Sequence, residues 1–144
     1  GSISFKNYTQ QLVNQLSSVY SSKDKVEIKY TMDDILFDID TAIPLGLILN
    51  ELVSNTFKYA FTDVISGKLE IGLEQLDLGN YLLSVIDNGN GLPEGFEANK
   101  AKSLGLRLVH RLSRQLYGKV EYIYKQGAHF KILFKDTEQR KLVQ

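Results

Sequence analysis

Residues 44–60 read PLGLILNELVSNTFKYA, and this stretch decides how the rest of the chain is interpreted. Its apolar residues recur at the three- and four-residue spacing of an amphipathic helix. Pro44 fits the first turn of such a helix, where a backbone N–H has no helical partner. Either Asp40 or Thr41 is suited to cap the helix, which is then expected to run to about Phe61.

The two faces of this predicted helix differ in chemistry. Glu51, Asn55 and Lys58 are spaced i, i+4 and i+7, so they are expected to share one face. A carboxylate, an amide oxygen and an ammonium in one row suit Mg²⁺ and phosphate, although a solvated polar face is an equally simple interpretation of the row alone. The opposite face is expected to be apolar and consists of Leu45, Ile48, Leu49, Leu52, Val53 and Thr56.

Outward from this helix, periodicity predicts an element order of α-β-β-α-β-β-loop-α-β-β. An amphipathic helix is predicted from Phe5 to Val19, and alternation predicts strands at residues 26–32 and 35–39. Two strands are predicted at residues 68–78 and 81–87, a helix from Ser103 that stops at Gly118, and a last hairpin at 120–124 and 130–134. The charged tail after Lys135 is expected to fray. This order predicts an α+β, two-layer sandwich in which helices cover one face of a mostly antiparallel sheet.

Two further segments carry candidate binding chemistry. Residues 87–93 read DNGNGLP directly after an apolar strand. Asp87 can accept a hydrogen bond from an exocyclic amine, and the glycines allow close backbone approach, although Asp-Asn-Gly is also a common turn. Residues 102–107 read KSLGLR at a predicted helix start, where unpaired N–H groups suit phosphate. The intervening residues, Asn88 to Lys102, have no apolar period and predict a functional loop.

Composition limits the possible partners. The 144 residues fit one domain, and 17 basic residues balance 17 acidic ones. The zero net charge argues against nucleic acid or an anionic membrane as the main partner. The absence of cysteine excludes disulfides and thiol chemistry, and no apolar run is long enough to span a bilayer. We therefore expect a cytoplasmic fragment of a protein that can be membrane-anchored elsewhere, with residues 1–2 as a cloning scar, a domain at 3–135 and a tail at 136–144.

The three segments, in this order, resemble the Bergerat-type nucleotide fold of gyrase, the heat-shock chaperone ATPase, histidine kinases and mismatch-repair ATPases. The sequence is most similar to bacterial sensor histidine kinases. Within them it resembles the subfamily whose asparagine box reads PLGLILNEL, here residues 44–52. The resemblance extends from about Phe5 to Phe134. It implies Mg·ATP binding and phosphoryl transfer to a histidine in two-component signalling.

The resemblance also implies individual roles. Asn55 would ligate Mg²⁺, Lys58 would contact a phosphate, and Tyr59 would lie near the nucleotide. Asp87 would bind the adenine amino group, Gly89 and Gly91 would shape the pocket, and residues 88–102 would form a lid. Ser103, Leu104 and Gly105 would form the phosphate-binding helix start. Glu51 is expected to act as a general base, or else to orient Lys58 or a metal-bound water.

The acceptor histidine and two departures from the family pattern qualify these roles. We expect His110 to be exposed and His129 to point opposite to Phe130, and neither lies in a phosphoacceptor box. The implied partners are therefore an upstream dimerisation hairpin that carries the histidine and a response-regulator receiver domain. The full-length protein is expected to be a homodimer, whereas this fragment alone is expected to be monomeric. Ala128 replaces a usual threonine, so lower nucleotide affinity is expected, and Thr56-Phe57 replaces smaller residues.

Three other functions stay open on the sequence alone. The chain could belong to an ATPase that uses Glu51 to activate water, or to a serine kinase of the same superfamily. A degenerate docking module without catalysis is the third possibility, and Ala128 is the feature that favours it. Hydrolysis of Mg·ATP and binding of Mg·ADP separate these alternatives.

Overall fold

The computed structural model describes residues 1–20, 26–61, 66–91 and 104–144. The helices are α1 (Phe5–Tyr20), α2 (Ile39–Asn55), α3 (Leu104–Gln115) and α4 (Thr137–Leu142), and a π-helical turn, Thr56–Ala60, continues α2. The strands are β1 (Ser2–Ser4), β2 (Glu27–Met32), β3 (Leu36–Asp38), β4 (Lys68–Asp77), β5 (Asn80–Asp87), β6 (Lys119–Tyr124) and β7 (Ala128–Lys135).

Five strands form the main sheet in the order β2-β4-β5-β7-β6. The pairs β4–β5, β5–β7 and β6–β7 are antiparallel, whereas β2–β4 is parallel. The parallel pair arises because α2 lies between β2 and β4 in the chain, and a helical crossover returns the chain in the same direction. β1 and β3 form a separate antiparallel ribbon. The predicted α+β sandwich with a mostly antiparallel sheet is confirmed.

The core lies between one face of this sheet and the helices. Burial alternates along β4 and β5, as expected for strands with one covered face. Five of the six residues assigned to the apolar face of the predicted helix are buried, as predicted, and pack with buried strand residues in one cluster: Leu45, Ile48, Leu49, Leu52 and Val53. Thr56, the sixth, is also buried, but it lies just after the end of α2. This packing places the polar side of α2 near the ends of β5 and α3.

The N-terminus of α2 differs from the prediction. Asp38 is the N-cap, and its Oδ1 accepts the backbone N–H of Thr41 at 3.3 Å. The helix therefore begins at Ile39, which the alternating pattern had assigned to a strand, and the predicted caps at Asp40 and Thr41 lie inside the first turn. An aspartate with extended backbone is a strong cap, and it ends β3 as it starts the helix.

One face of α1 packs on the core, with Leu12 and Leu16 partly buried against it. Phe5, Thr9 and Val13 are the buried residues, whereas Val19 is 72% exposed. The Thr9 hydroxyl donates to the carbonyl oxygen of Phe5 at 2.8 Å, so a polar residue can be buried there.

Among the described helices, none is both long and apolar enough to cross a membrane.

The prediction that the tail frays is wrong. Asp136 caps α4 by accepting the backbone N–H of Gln139 at 2.9 Å. Arg140 then donates to the Thr41 hydroxyl of α2 at 3.1 Å and to the carbonyl oxygen of Lys135 at 2.6 Å. These contacts fasten the end of the chain to the start of α2.

Candidate functional site

Asp87 is a buried carboxylate at the end of β5. Its side chain continues the inward-facing alternation of the strand, and the residue is only 6% exposed. Oδ1 accepts the backbone N–H of Gly89 at 2.9 Å and that of Ala128 at 3.3 Å. Oδ2 lies 3.4 Å from the hydroxyl oxygen of Thr56. One carboxylate oxygen is thus held firmly, while the other has only a long contact.

The electrostatic environment of Asp87 is a balance of opposing effects. Burial raises the pKa of the carboxyl group above its ordinary value, and this is the largest effect. The hydrogen bonds from Gly89, Ala128 and Thr56 lower the pKa, as does the charge of His129. A donor N–H from a ligand would further offset the cost of burying the charged form, so the group is suited to accept one.

Glu51 and Asn55 meet the first turn of α3 at Gly105. A Cβ atom placed on Gly105 would lie 2.5 Å from Oε2 of Glu51 and 3.9 Å from Nδ2 of Asn55. A side chain at Gly105 would therefore crowd the carboxylate. The N–H groups of the first turn of a helix have no helical partners and attract anions. The structure thus brings two polar residues of α2 to an anion-attracting helix start.

The side chain of Asn55 is available to a ligand. It is half-buried, and it makes no hydrogen bond to any other residue within the described ranges. Its amide oxygen and the Glu51 carboxylate are hard donors of the kind that Mg²⁺ prefers. In the described parts of the chain, no group of three or more His, Cys, Asp or Glu residues could hold a metal ion alone. A Mg²⁺ ion here would need phosphate and water oxygens as further ligands, and the side chains present fit that arrangement.

Lys58 and Tyr59 lie on the π-helical turn. The Lys58 ammonium lies 5.6 Å from the ring centroid of Tyr20, at the end of α1. The prediction placed Lys58 on one face with Glu51 and Asn55 by α-helical spacing, but the wider π turn changes that spacing after Asn55. The ring of Tyr59 is 67% exposed.

The start of the predicted lid is fixed by backbone contacts. Gly89 packs against the carbonyl oxygen of Ala60 so closely that no Cβ fits, and Asn90 donates its N–H to that oxygen at 2.9 Å. Gly91 has a φ of 70° and packs against Tyr122 and Tyr124. The rest of the predicted lid, Ser103 and the side chain of Leu104 lie outside the described residues, although Leu104 is the first residue described in α3.

One ring nitrogen of each histidine, Nε2, lies close to other protein atoms. His110 is not fully exposed as expected, since its Nε2 is buried and has no hydrogen-bond partner among the described residues. Nε2 of His129 lies 2.9 Å from the carbonyl oxygen of Lys125. Neither observation indicates a phosphoacceptor.

Sequence reasoning missed two contacts of the site. It treated Thr56 as core and as a packing variation, and it considered Ala128 only for its missing hydroxyl. In the structure, both contact the carboxylate of Asp87. Pairing of β5 with β7, with Ile86 opposite His129, brings Ala128 to Asp87, and only that register could have revealed it.

Comparison with known proteins agrees with this geometry. Residues 40–138, more than half of the chain, match the family described as histidine kinase-, DNA gyrase B- and HSP90-like ATPases. The sensor histidine kinase PdtaS of Mycobacterium tuberculosis is 33% identical over 99 residues, which are 67% of this chain and 19% of that kinase. The chain spans between 15% and 26% of the length of the curated relatives it matches.

Solved structures show the same fold. The histidine kinase domain of the blue-light-activated kinase EL346 of Erythrobacter litoralis superposes with a TM-score of 0.87 at 22% identity, over 98% of this chain and 65% of that one. Full-length ShkA in complex with AMPPNP superposes with a TM-score of 0.71 at 25% identity, over 95% of this chain and 31% of that one. With a buried acceptor at Asp87, polar α2 side chains at the start of α3 and these matches, the chain belongs to the histidine kinase-, DNA gyrase B- and HSP90-like ATPase family.

Proposed function

We propose that the chain binds Mg·ATP and presents its γ-phosphoryl group to a histidine of a sensor histidine kinase. The observation that carries the proposal is the placement of two consecutive residues. The side chain of Asn55 lies beside Gly105 in the first turn of α3, and the hydroxyl of Thr56 contacts the carboxylate of Asp87 at the end of β5. The acceptor for a base and the helix start for phosphates are therefore the two ends of one site.

At the base end, Asp87 accepts the amino group of adenine. The buried Oδ2 is the oxygen without a short donor, so it is the one available to the ligand. Gly89 shapes this end through its contact with the Ala60 backbone, and Gly91 through its contacts with the side chains of Tyr122 and Tyr124. ShkA, which was solved with AMPPNP, supports a nucleotide ligand for this fold.

At the phosphate end, the helix start at Leu104 and Gly105 donates backbone N–H groups to phosphate oxygens. Asn55 would ligate Mg²⁺, and the bound ion would neutralise phosphate charge. Lys58 leaves the ring of Tyr20 to contact a phosphate, and Tyr59 lies beside the nucleotide. These roles need positioning rather than chemically reactive side chains.

Glu51 faces the same end, against Gly105. It acts on the proton released when a histidine nitrogen forms its bond to phosphorus and ADP leaves, or it orients Lys58 or a water on the metal. The close approach to Gly105 supports a role at the phosphates. The acceptor histidine lies in a dimerising helical hairpin, and a response-regulator receiver domain takes the phosphoryl group from it. PdtaS, to which the chain is similar, is named a sensor histidine kinase, and this name supports a role in phosphoryl transfer to histidine.

Thermal unfolding with Mg·ADP tests the nucleotide site. At a ligand concentration of about 100 times its Kd, we expect the free energy of unfolding to rise by about 2.7 kcal/mol. Asn55→Ala should remove most of the Mg²⁺-dependent part, and the matched control Asn14→Ala, an exposed asparagine on α1, should not. An unshifted wild-type chain would exclude the site.

Phosphoryl transfer needs a separate test. The full-length protein that contains this chain is incubated with γ-labelled Mg·ATP, and acid-labile, base-stable label on a histidine is the expected product. Rapid release of inorganic phosphate by this chain alone would favour an ATPase instead. Nucleotide binding without either product would favour a docking module.

A further inference from the structure

The hydroxyl of Thr56 has two acceptors and one proton. Thr56 is 6% exposed and begins the π-helical turn. Its Oγ1 lies 3.0 Å from the carbonyl oxygen of Leu52 and 3.4 Å from Oδ2 of Asp87. Good O–H···O bonds span about 2.5–3.0 Å, so the contact with Leu52 has the better hydrogen-bond distance and the contact with Asp87 is long. The hydroxyl can redirect its proton without moving its oxygen, because only its χ rotor must turn.

Among the residues that the structure describes, Oδ2 of Asp87 has only this long contact with a donor. The two backbone donors both reach Oδ1, and the Thr56 contact is the one hydrogen bond to Oδ2 among the described residues. A buried carboxylate oxygen with one long hydrogen bond is costly, and an N–H donor from a ligand would offset that cost. A ligand atom bound to Oδ2 would also lie near the Thr56 hydroxyl, because the two oxygens are 3.4 Å apart.

Thr56 is the only hydroxyl in contact with Asp87 within the described ranges. Ala128 brings a backbone N–H and a methyl group, and Gly89 brings only its backbone. A hydroxyl at this place can donate to a ring nitrogen, whereas the carboxylate can only accept. The two side chains therefore form an acceptor–donor pair at the base of the site.

We propose, on the basis of the function proposed above, that Thr56 reads the nucleobase together with Asp87. Asp87 accepts from the 6-amino group of adenine, and the Thr56 hydroxyl donates to a ring nitrogen that flanks this group. In adenine the flanking nitrogens are N1 and N7, and both are acceptors. The pair thus selects a base that offers a donor and an acceptor side by side.

Analogues that lack one ring nitrogen test the contact. The dissociation constants of ADP, 1-deaza-ADP and 7-deaza-ADP are measured with Mg²⁺ by calorimetry on the wild-type chain, Thr56→Val and Thr56→Ser. Valine has nearly the same shape without the hydroxyl, and serine keeps the hydroxyl. One net hydrogen bond corresponds to a change of about fivefold in affinity.

The expected pattern is a ligand-specific loss. The wild-type chain and Thr56→Ser should bind one deaza analogue about fivefold more weakly than ADP. Thr56→Val should bind ADP more weakly by a similar factor and no longer distinguish that analogue from ADP. If the wild-type chain binds all three ligands equally, or if Thr56→Val keeps the preference, the inference is wrong although the nucleotide site stands. If the wild-type chain does not bind Mg·ADP, the proposed function fails as well.

A folding defect would not obscure the result. The comparison of three ligands on the wild-type chain needs no variant at all. Thr56→Ala, which removes the hydroxyl and cannot overpack the core, serves as a second variant, and its preference should also be lost. A uniform loss for all three ligands in both hydroxyl-free variants would show a structural role and contradict base reading.

Discussion

The backbone N–H of Ala128 donates to Oδ1 of Asp87 over 3.3 Å, and so the last hairpin holds the carboxylate at the end of β5. The same oxygen accepts the N–H of Gly89, within the loop that leaves the strand. Asp87 is therefore oriented by backbone groups on both sides. Its position does not depend on the side chain at residue 128.

We expect Asp87→Asn to separate stability from nucleotide binding. Burial raises the pKa of Asp87, so its contribution to stability is present below the ordinary aspartate pKa and is lost as pH rises through the folded-state pKa. The ionised carboxylate thus destabilises the ligand-free fold at neutral pH. An asparagine can keep the backbone bonds through its oxygen and donate to Thr56. The variant should be at least as stable as the wild-type chain near neutral pH, with no stabilisation by Mg·ADP.

Denaturant unfolding from about pH 4 to about pH 7 measures this effect. The advantage of Asp87→Asn over the wild-type chain should shrink toward the acidic end, where the wild-type carboxyl group gains its proton. Asp77→Asn, at an exposed aspartate of β4, is the matched control and should show neither effect. A variant that is less stable at neutral pH and is still stabilised by Mg·ADP would contradict both the stability prediction and the binding prediction.

Gly105→Ala should weaken nucleotide binding without unfolding the chain. The new Cβ would lie 2.5 Å from Oε2 of Glu51, which must move, and it would narrow the approach of phosphate to the start of α3. Alanine favours a helix over glycine by about 1 kcal/mol, which offsets the cost of moving a flexible side chain. Stability should therefore change little, whereas Mg·ADP affinity should fall about tenfold, as for a lost charged hydrogen bond.

Calorimetric titration and thermal unfolding on the same samples check this prediction. Ser113→Ala, at a buried serine of α3 whose hydroxyl donates to the carbonyl oxygen of Val109 at 2.8 Å, is a control within the same helix. It should alter stability more than affinity. Unchanged affinity in Gly105→Ala would mean that phosphates do not approach this turn.

Local patterns were sufficient to predict much of the fold. Helical spacing in residues 44–60 identified the buried face of α2, and the alternation that ends at Asp87 identified β5. These features depend on side chains that are neighbours in sequence, so periodicity reports them directly. The expectation that Asn55 and Asp87 belong to one nucleotide site came from the resemblance of three ordered segments.

Features that depend on distant contacts were not predictable in this way. The π-helical turn interrupts the spacing that placed Lys58 with Asn55, and an apolar pattern does not distinguish it from an α-helix. α4 has six residues and none of them is buried, so it lacks the apolar stripe that predicts a helix. It forms because Asp136 caps it and Arg140 reaches residues almost a hundred positions away.

Tyr81→Phe should change how the free energy of unfolding depends on pH in the alkaline range. The Tyr81 hydroxyl donates to Oδ2 of Asp136 at 2.9 Å, and burial, followed by this bond and the charge of Asp136, raises the pKa of Tyr81 to about 12. A raised folded-state pKa gives stability that is present below the ordinary tyrosine pKa of about 10 and lost as pH approaches 12. The phenylalanine variant should be less stable at neutral pH, and its deficit should narrow over that alkaline range.

Urea unfolding at neutral and alkaline pH measures this difference, with the exposed Tyr124→Phe as control. The informative quantity is the gap between wild-type and variant stability, because any effect of pH that the two proteins share cancels in it. A gap that stays constant to pH 12 would show that the phenol does not contribute through its proton.

Arg140→Ala tests whether α4 is part of the folded domain. The guanidinium donates to the Thr41 and Thr137 hydroxyls, each at 3.1 Å, and to the carbonyl oxygen of Lys135 at 2.6 Å. Removing a charged donor from such a set should cost about 1.5–3 kcal/mol in the free energy of unfolding. Lys141→Ala, at the exposed next residue, should cost only a few tenths of a kcal/mol, as is typical of surface changes.

Denaturant unfolding measures the free energy of unfolding of both variants. The m-value should stay unchanged if unfolding remains two-state. Because Arg140 fastens the tail to the start of α2, its loss should also increase hydrogen exchange at the first turn of that helix. Exchange at Asn55 should rise less, since the far end of α2 packs in the core. Equal stability in the two variants would mean that the tail frays in solution, as its charge and short length first indicated, and that the fold ends with β7.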